Sequence, residues 1–246
     1  MSARAYMQAA IAALERVADE QHDRIVDAAG RLVEAILADR SIYSFGASHS
    51  FMLTEELVYR TGGLMLVNPI YPHGMNLLVR PLTTTSRLER LPGLGAELLA
   101  GSPAAAGDVL IIASTSGRNA VAIDMALAAR QRGLRTIGIT SLAYTRGVTS
   151  RHPTGRKVAD LCEVVIDNAA PYGDAAVEIE GFEEKTGPLS SVTGCAIVNA
   201  IVAETVTELV RRGVTPPVFM SANRDGGDER NARLLAANRH RIHYMD

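Results

Sequence analysis

The sequence predicts an α/β protein in which a parallel sheet is covered by helices on both faces, a three-layer α/β/α sandwich. Three observations carry this expectation. The stretches "DVLIIAS" (108–114), "LRTIGITS" (134–141) and the end of "VADLCEVVIDN" (158–168) are apolar runs with few polar interruptions, as expected of strands buried on both faces. Helical stretches alternate with them, notably "NAVAIDMALAARQRG" (119–133), and that alternation is the mark of a parallel sheet. The length of 246 residues and a hydrophobic fraction of 47% allow one sizeable core.

The elements follow in order. Residues 3–38 place Ile11, Leu14, Val17, Ile25, Leu32 and Ile36 at helical spacing, predicting one or two amphipathic helices rather than a signal peptide. "SIYSFG" (41–46) reads as a strand that stops at Gly46, followed by a helix to about Tyr59. "GLMLV" (63–67) reads as a second strand, ended by the prolines of "NPIYPHG". Residues 76–100 read as helical pieces broken at Pro81 and at Pro92-Gly93. After the regular middle of the chain, "SVTGCAIVNAIVAETVTELVRRG" (191–213) is a long apolar helix closed by glycine. The tail from Pro216 starts with a proline break and ends in a helix. No repeat or low-complexity linker divides the chain, so a single domain over 1–246 is expected.

Composition narrows the function. A net charge of −2, with Asp225, Asp228 and Glu229 interleaved among the late arginines, leaves no basic stripe for nucleic acid or a membrane surface. No apolar run approaches about 18 residues, so no membrane span is expected. Two cysteines, Cys162 and Cys195, suit a reducing cytoplasm and a buried apolar role better than a disulfide framework.

Two strands end in turns of glycine and hydroxyl side chains, "FGASHS" (45–50) and "ASTSGRN" (113–119). Ser, Thr and Asn at a helix start are ordinary caps. Hydroxyls and free N–H groups at a helix N-terminus are also a seat for an anion such as phosphate. Two such turns at the ends of parallel strands favour the anion seat, since ligands of open parallel sheets bind there. There is no P-loop sequence, and "GASHSF" lacks the third glycine of a dinucleotide fingerprint, so no cofactor is expected.

These turns carry a family resemblance. Residues 108–141 resemble the second half of a sugar-isomerase (SIS) domain, whose phosphate turn reads Ser-x-Ser-Gly-x-Thr/Ser; here it is Ser114-Thr115-Ser116-Gly117-Arg118-Asn119. Gly46-Ala47-Ser48-His49-Ser50 resembles the family's Gly-x-Gly-x-Ser, with Ser48 at the second glycine, and "TEELVYR" (54–60) resembles a stretch of bacterial phosphoheptose isomerases. "PYGDA" (171–175) and "SAN…GGDE" (221–229) resemble a narrower SIS group. The resemblance spans about residues 35–212, leaving N-terminal helices (2–38) and a C-terminal extension (213–246). It implies a five-stranded flavodoxin-like sheet, binding of a small sugar phosphate, and homodimers or homotetramers with shared sites.

The resemblance also assigns roles. Ser48, Ser50, Ser114, Thr115, Ser116 and Asn119 would hold the phosphate, Asn119 by its amide. Glu56 would be the base of an aldose–ketose isomerase, six residues after Ser50 where those isomerases place theirs ten after. Asn199 stands where they carry a histidine, which leaves His49, or His73 after the second strand, as the acid/base partner. Lys185 of Glu183-Glu184-Lys185, at the start of the long helix, and Asn223 of "SANRDGGDERN" are further binding candidates, each also readable as a solvated turn. His240-x-x-His243 has metal-compatible spacing but no third ligand nearby, so no metal is expected. The readings are an isomerase, a non-catalytic sugar-phosphate sensor, or an amino-sugar-phosphate lyase or etherase.

Overall fold

The structure, a computed structural model, describes residues 2–245. The N-terminal region forms two helices, α1 (Ser2–Glu20) and α2 (His22–Leu37). On α2, Ile25, Ala28, Ala29, Leu32, Val33 and Ile36 fall on one stripe and are buried, the spacing that a core-facing helix requires. α1 buries only Ala10, Ala13 and Val17, leaving Met7 and Ile11 exposed.

The strands are β1 (Ile42–Gly46), β2 (Val67–Pro69), β3 (Val109–Ala113), β4 (Arg135–Thr140) and β5 (Val164–Asp167). They form one parallel sheet in the order β2-β1-β3-β4-β5. Side chains alternate between its faces. Val109 and Ile111 enter one core with Leu32, Ile197 and Ile201, whereas Leu110 and Ile112 enter the other with Met125 and Leu99. The first core lies under α2, α3 (Phe51–Leu57) and α8 (Ser190–Arg211), and the second under α5 (Leu94–Ala100) and α6 (Ala120–Gln131). This is the expected three-layer sandwich. Shorter helices α4 (Thr83–Leu88) and α7 (Leu142–Arg146) sit in connections, and α9 (Gly227–Ala237) forms the C-terminal extension.

Three local expectations change. The second strand is not 63–67: the paired residues are Val67–Pro69, while Leu64 makes an isolated antiparallel bridge to Val218. Pro69 is accommodated because β2 is an edge strand, where a missing donor breaks no ladder. Asn68 fixes this edge, donating to Ile42 O and Arg241 O and accepting from His243 N. A hairpin of β6 (Ala175–Val177) and β7 (Thr186–Pro188) lies ahead of α8, and Glu183–Lys185 occupy its connection. Finally, α8 is the one helix among the described residues long and apolar enough to cross a membrane, at mean hydropathy 1.4. Here Ile197, Val198, Ile201, Val202 and Leu209 face the sheet's core.

Asp108 directly precedes β3 and holds two strand entrances together. Its 5%-exposed carboxylate accepts Ser41 N at 3.0 Å and Ala105 N at 2.8 Å. Asp108→Ala leaves both donors without this acceptor and is expected to lose about 2–4 kcal/mol of stability, measured by urea unfolding.

Candidate functional site

In the strand order, β1 and β3 are neighbours whose chains then depart in opposite directions, to β2 on one side and to β4 on the other. The carboxyl ends of such a pair open the crevice in which doubly wound sheets bind ligands. Gly46 at the end of β1 lies directly opposite Ala113 at the end of β3. Both hydroxyl turns therefore begin side by side.

Each turn is shaped by local chemistry. An added Cβ on Gly46 would overlap the carbonyl of Ser50, because the chain folds back over it as a short 3₁₀ turn at Ser48–Ser50. Ser48 takes a left-handed φ of 54° and donates its N–H to Met75 O. Glycine adopts that conformation at lower cost, which accounts for glycine at this place in the resembling family. In the second turn Gly117 has φ 63°. The turn's carbonyls are all engaged on its inner side. Thr115 O accepts from Ser141 N and Thr140 Oγ1, Ser116 O from Thr145 Oγ1, Gly117 O from Val158 N and Arg118 O from Arg151 N. Since each peptide is planar and trans, the N–H groups of Ser116, Arg118 and Asn119 point away from those partners, as an anion seat requires.

Between the turns lies a cavity of about 270 Å³, lined on this side by Ser48, His49, Ser50, Ser114, Thr115 and Ser116. Several hydroxyls elsewhere in the chain are put to structural use: Ser44 bonds Thr54, Ser141 donates to Ala170 O, and Thr193 and Thr205 bond back along α8. None of the five turn hydroxyls has a hydrogen-bond partner among the described residues. Neither Ser50 ahead of α3 nor Asn119 ahead of α6 makes a side-chain cap. The capping explanation for these residues therefore fails, and the five hydroxyls stand unengaged along the cavity wall.

The opposite wall is formed by Glu89, Tyr144, Gly173, Asp174 and Ser190. Asp174, at φ 70°, accepts from Leu189 N and Ser190 N through Oδ1 and from Ser190 Oγ through Oδ2; it anchors the start of α8 at the cavity. Glu89 follows α4. Its Oε2 accepts Asn119 Nδ2 at 2.7 Å, and its backbone carbonyl accepts Val121 N. Burial raises its carboxyl above the ordinary value of 4.5, only partly offset by the Asn119 hydrogen bond and by Arg90 and Arg151.

The structure brings Ser48, His49, Ser50, Ser114, Thr115, Ser116 and Asn119 together. The Asn119 amide, expected to reach phosphate, is instead committed to Glu89. Glu56 is not among the lining residues. Its Oε1 accepts Asn199 Nδ2 at 2.6 Å and its Oε2 accepts Arg60 Nη1 at 2.9 Å, and Asn199 lies about 13 Å down α8 from Ser190. Lys185 pairs with Glu178 at 2.8 Å on the hairpin, and the Asn223 N–H bonds Ser221 Oγ in the C-terminal extension; neither lines the cavity. His73 lines a separate cavity beside Tyr43 and His243. His240 pairs with Asp39, whereas His243 stacks on Tyr43, and the described residues contain no group of three metal-ligating side chains. Both cysteines are free, and burial pushes the Cys162 thiol up to about 12, so it stays an unreactive thiol. Glu89 and Tyr144 escaped sequence reasoning, and Asp174 was met only as part of "PYGDA", without a role. Glu89 stands in "RLERL" with no motif around it, and only the fold carries it to the turns.

A family model described as SIS domain matches residues 5–141, which run from α1 through β4 and include both turns. The chain belongs to the SIS-domain family. A UPF0309 protein of Shouchella clausii is 44% identical over 232 residues, covering 94% of each chain. Among solved structures, this SIS-domain chain is similar in fold to a phosphoheptose isomerase from Neisseria gonorrhoeae, with TM-score 0.56, 16% identity and coverage of 83% of this chain and 97% of that one. It is also similar to the NanR protein of Vibrio vulnificus complexed with ManNAc-6P, with TM-score 0.52, 16% identity and coverage of 94% and 68%.

The raised carboxyl of Glu89 has a thermodynamic consequence. Between 4.5 and its higher folded value, the folded state holds the proton more tightly than the unfolded chain, so ionisation at higher pH opposes folding. Glu89→Gln is therefore expected to raise Tm at neutral pH, and the gain should vanish below pH 4.5, where glutamate is protonated in both states. Calorimetry across pH 4–8 checks this.

Proposed function

We propose that this SIS-domain protein is an aldose–ketose isomerase of a sugar phosphate. The observation that carries the reading is the set of five unengaged hydroxyls, Ser48, Ser50, Ser114, Thr115 and Ser116, converging on one cavity at the start of α6. Hydroxyl and backbone donors with a helix dipole hold a phosphate dianion without lysine or metal.

Glu89 is the base we assign, in preference to Glu56. One oxygen is held by Asn119 and the other is left for substrate, and burial raises its proton affinity above that of an ordinary carboxylate, the direction a general base requires. Its carboxylate takes the proton from the carbon beside the carbonyl, giving an enediolate, and returns it to the neighbouring carbon. The electron pair moves into the former carbonyl, whose oxygen gains a proton, while the adjacent hydroxyl gives one up. His49, on the same wall as the phosphate turn, is placed by this reading as the donor to that oxygen. Phosphate binding is uniform along the reaction, so rate enhancement comes from Glu89 and His49.

A second reading has its own support. The fold neighbour complexed with ManNAc-6P suits a protein that binds a sugar phosphate as a signal, and Glu56 is already tied to Asn199 and Arg60. For either reading we propose a homo-oligomer, consistent with the exposed Met7 and Ile11 of α1 and Val192 and Val210 of α8.

Incubation with aldose, ketose and amino-sugar phosphates in D2O separates these readings. Isomerisation predicts deuterium entry at C1 or C2, reduced about 10²–10⁴-fold in Glu89→Gln with ligand affinity retained. Ser114→Ala with Ser116→Ala should weaken phosphosugar binding on the order of a hundredfold; unchanged affinity would remove the phosphate seat. Tight binding without exchange would favour the sensor.

A further inference from the structure

A chain of contacts reaches Glu89 from the loop at 147–157, which none of the comparisons assigns a role. Arg151 Nη1 donates to Asn119 Oδ1 at 3.0 Å, and Asn119 Nδ2 donates to Glu89 Oε2 at 2.7 Å. The order of these contacts is forced by chemistry. A guanidinium has only donors and a carboxylate only acceptors. With Arg151 on one side, the amide must turn its oxygen toward arginine and its N–H₂ toward Glu89. Arg151 and the Glu89 carboxylate thus fix the same amide orientation from its two ends.

The loop is itself fixed. Arg151 N bonds Arg118 O at 2.9 Å, and Val158 N bonds Gly117 O at 3.0 Å, so the loop is pinned to the phosphate turn near both its middle and its end. The next residue, His152, donates from Nε2 to Asp124 Oδ1 at 2.9 Å, while its Nδ1 accepts Thr154 N. Both side chains of that pair are less than a tenth exposed. Asp124 Oδ2 accepts Gly93 N at 2.7 Å, which ties the same aspartate to the start of α5, just after Glu89. The segment carrying Glu89 and the loop carrying Arg151 are thus both referenced to α6.

We propose that Arg151 is a positioning residue for Glu89, acting through Asn119 to present an N–H to the carboxylate. The proposal rests on the reading of Glu89 as the base. It assigns Asn119 a function that its place in the phosphate turn conceals: the residue holds the base rather than the phosphate. The other groups that face Glu89 are Arg90 on its own segment and, across the cavity, His49, Tyr144 and Asp174. Arg118 stands beside Arg151 and lowers its proton affinity, after burial as the larger cause.

The test uses the full chain labelled with carboxyl-¹³C glutamate. The Glu89 resonance is identified by its loss in Glu89→Gln and followed through a pH titration. Arg151→Met removes the donors while keeping an unbranched side chain, and Asn119→Ala breaks the relay at its middle. Both are expected to raise the Glu89 midpoint, by about one unit or more. Arg151→Lys supplies one donor and a charge and should restore most of the wild-type midpoint. A merely structural role would lower Tm without moving the midpoint; an unchanged midpoint in both Arg151→Met and Asn119→Ala overturns the proposal. Deuterium exchange then tests the underlying reading separately. The acid limb of the exchange rate should follow the shifted midpoint with KM for the phosphosugar changed less than about twofold, since the turn hydroxyls are untouched. A moved midpoint with an unmoved acid limb would keep the relay and dismiss Glu89 as the base.

Discussion

The pairing of β1 with β3 is the constraint on which the site depends. Because Gly46 and Ala113 are register partners, two turns more than sixty residues apart in sequence leave the sheet together. Neither turn alone encloses a ligand. Side by side at the point where the chain reverses its direction of winding, they form two edges of one crevice. The absence of a side chain at Gly46 then lets Ser48–Ser50 fold back, and the engaged carbonyls of residues 115–118 turn the second loop's amides outward.

Around the cavity, polar groups divide into those that hold the fold and those left unengaged. Asp108, Ser141, Asp174 and Thr140 are engaged by partners within the fold. The turn hydroxyls are left unengaged, and Glu89 is half satisfied in a place that disfavours its charge. Such local disadvantage is tolerated in folded proteins where a group must act on something outside the chain.

Much of the architecture was legible from the sequence because buried parallel strands announce themselves as unbroken apolar runs. "DVLIIAS", "LRTIGITS" and the long helix after residue 190 needed no tertiary information. Both turns were legible for a related reason, since glycine with two or three hydroxyl residues directly after an apolar run stands out at a strand-to-helix junction. The edge strand was misplaced by a few residues because apolarity alone favoured Leu64–Val67 over a segment containing Pro69, and only the sheet edge makes Pro69 acceptable. The site's second wall was not legible. Glu89 and Tyr144 come from separate connections with no local pattern, and "PYGDA" marked Asp174 without showing what it faces. Glu56 drew attention through its motif, yet the helix that bears it leads away from the crevice toward Asn199.

The edge at β2 has a consequence for how copies of the chain can meet. That strand is three residues long, contains a proline, and is preceded by a stretch whose backbone is occupied by the 217–219 segment: Met65 N bonds Pro217 O, and Phe219 N bonds Gly63 O. Asn68 and Tyr244 fasten the C-terminal residues over the same margin. A neighbouring molecule finds few free ladder groups there, so the sheet is a poor template for growing into a larger one. Any contact between copies on this side would have to use side chains instead of shared backbone hydrogen bonds.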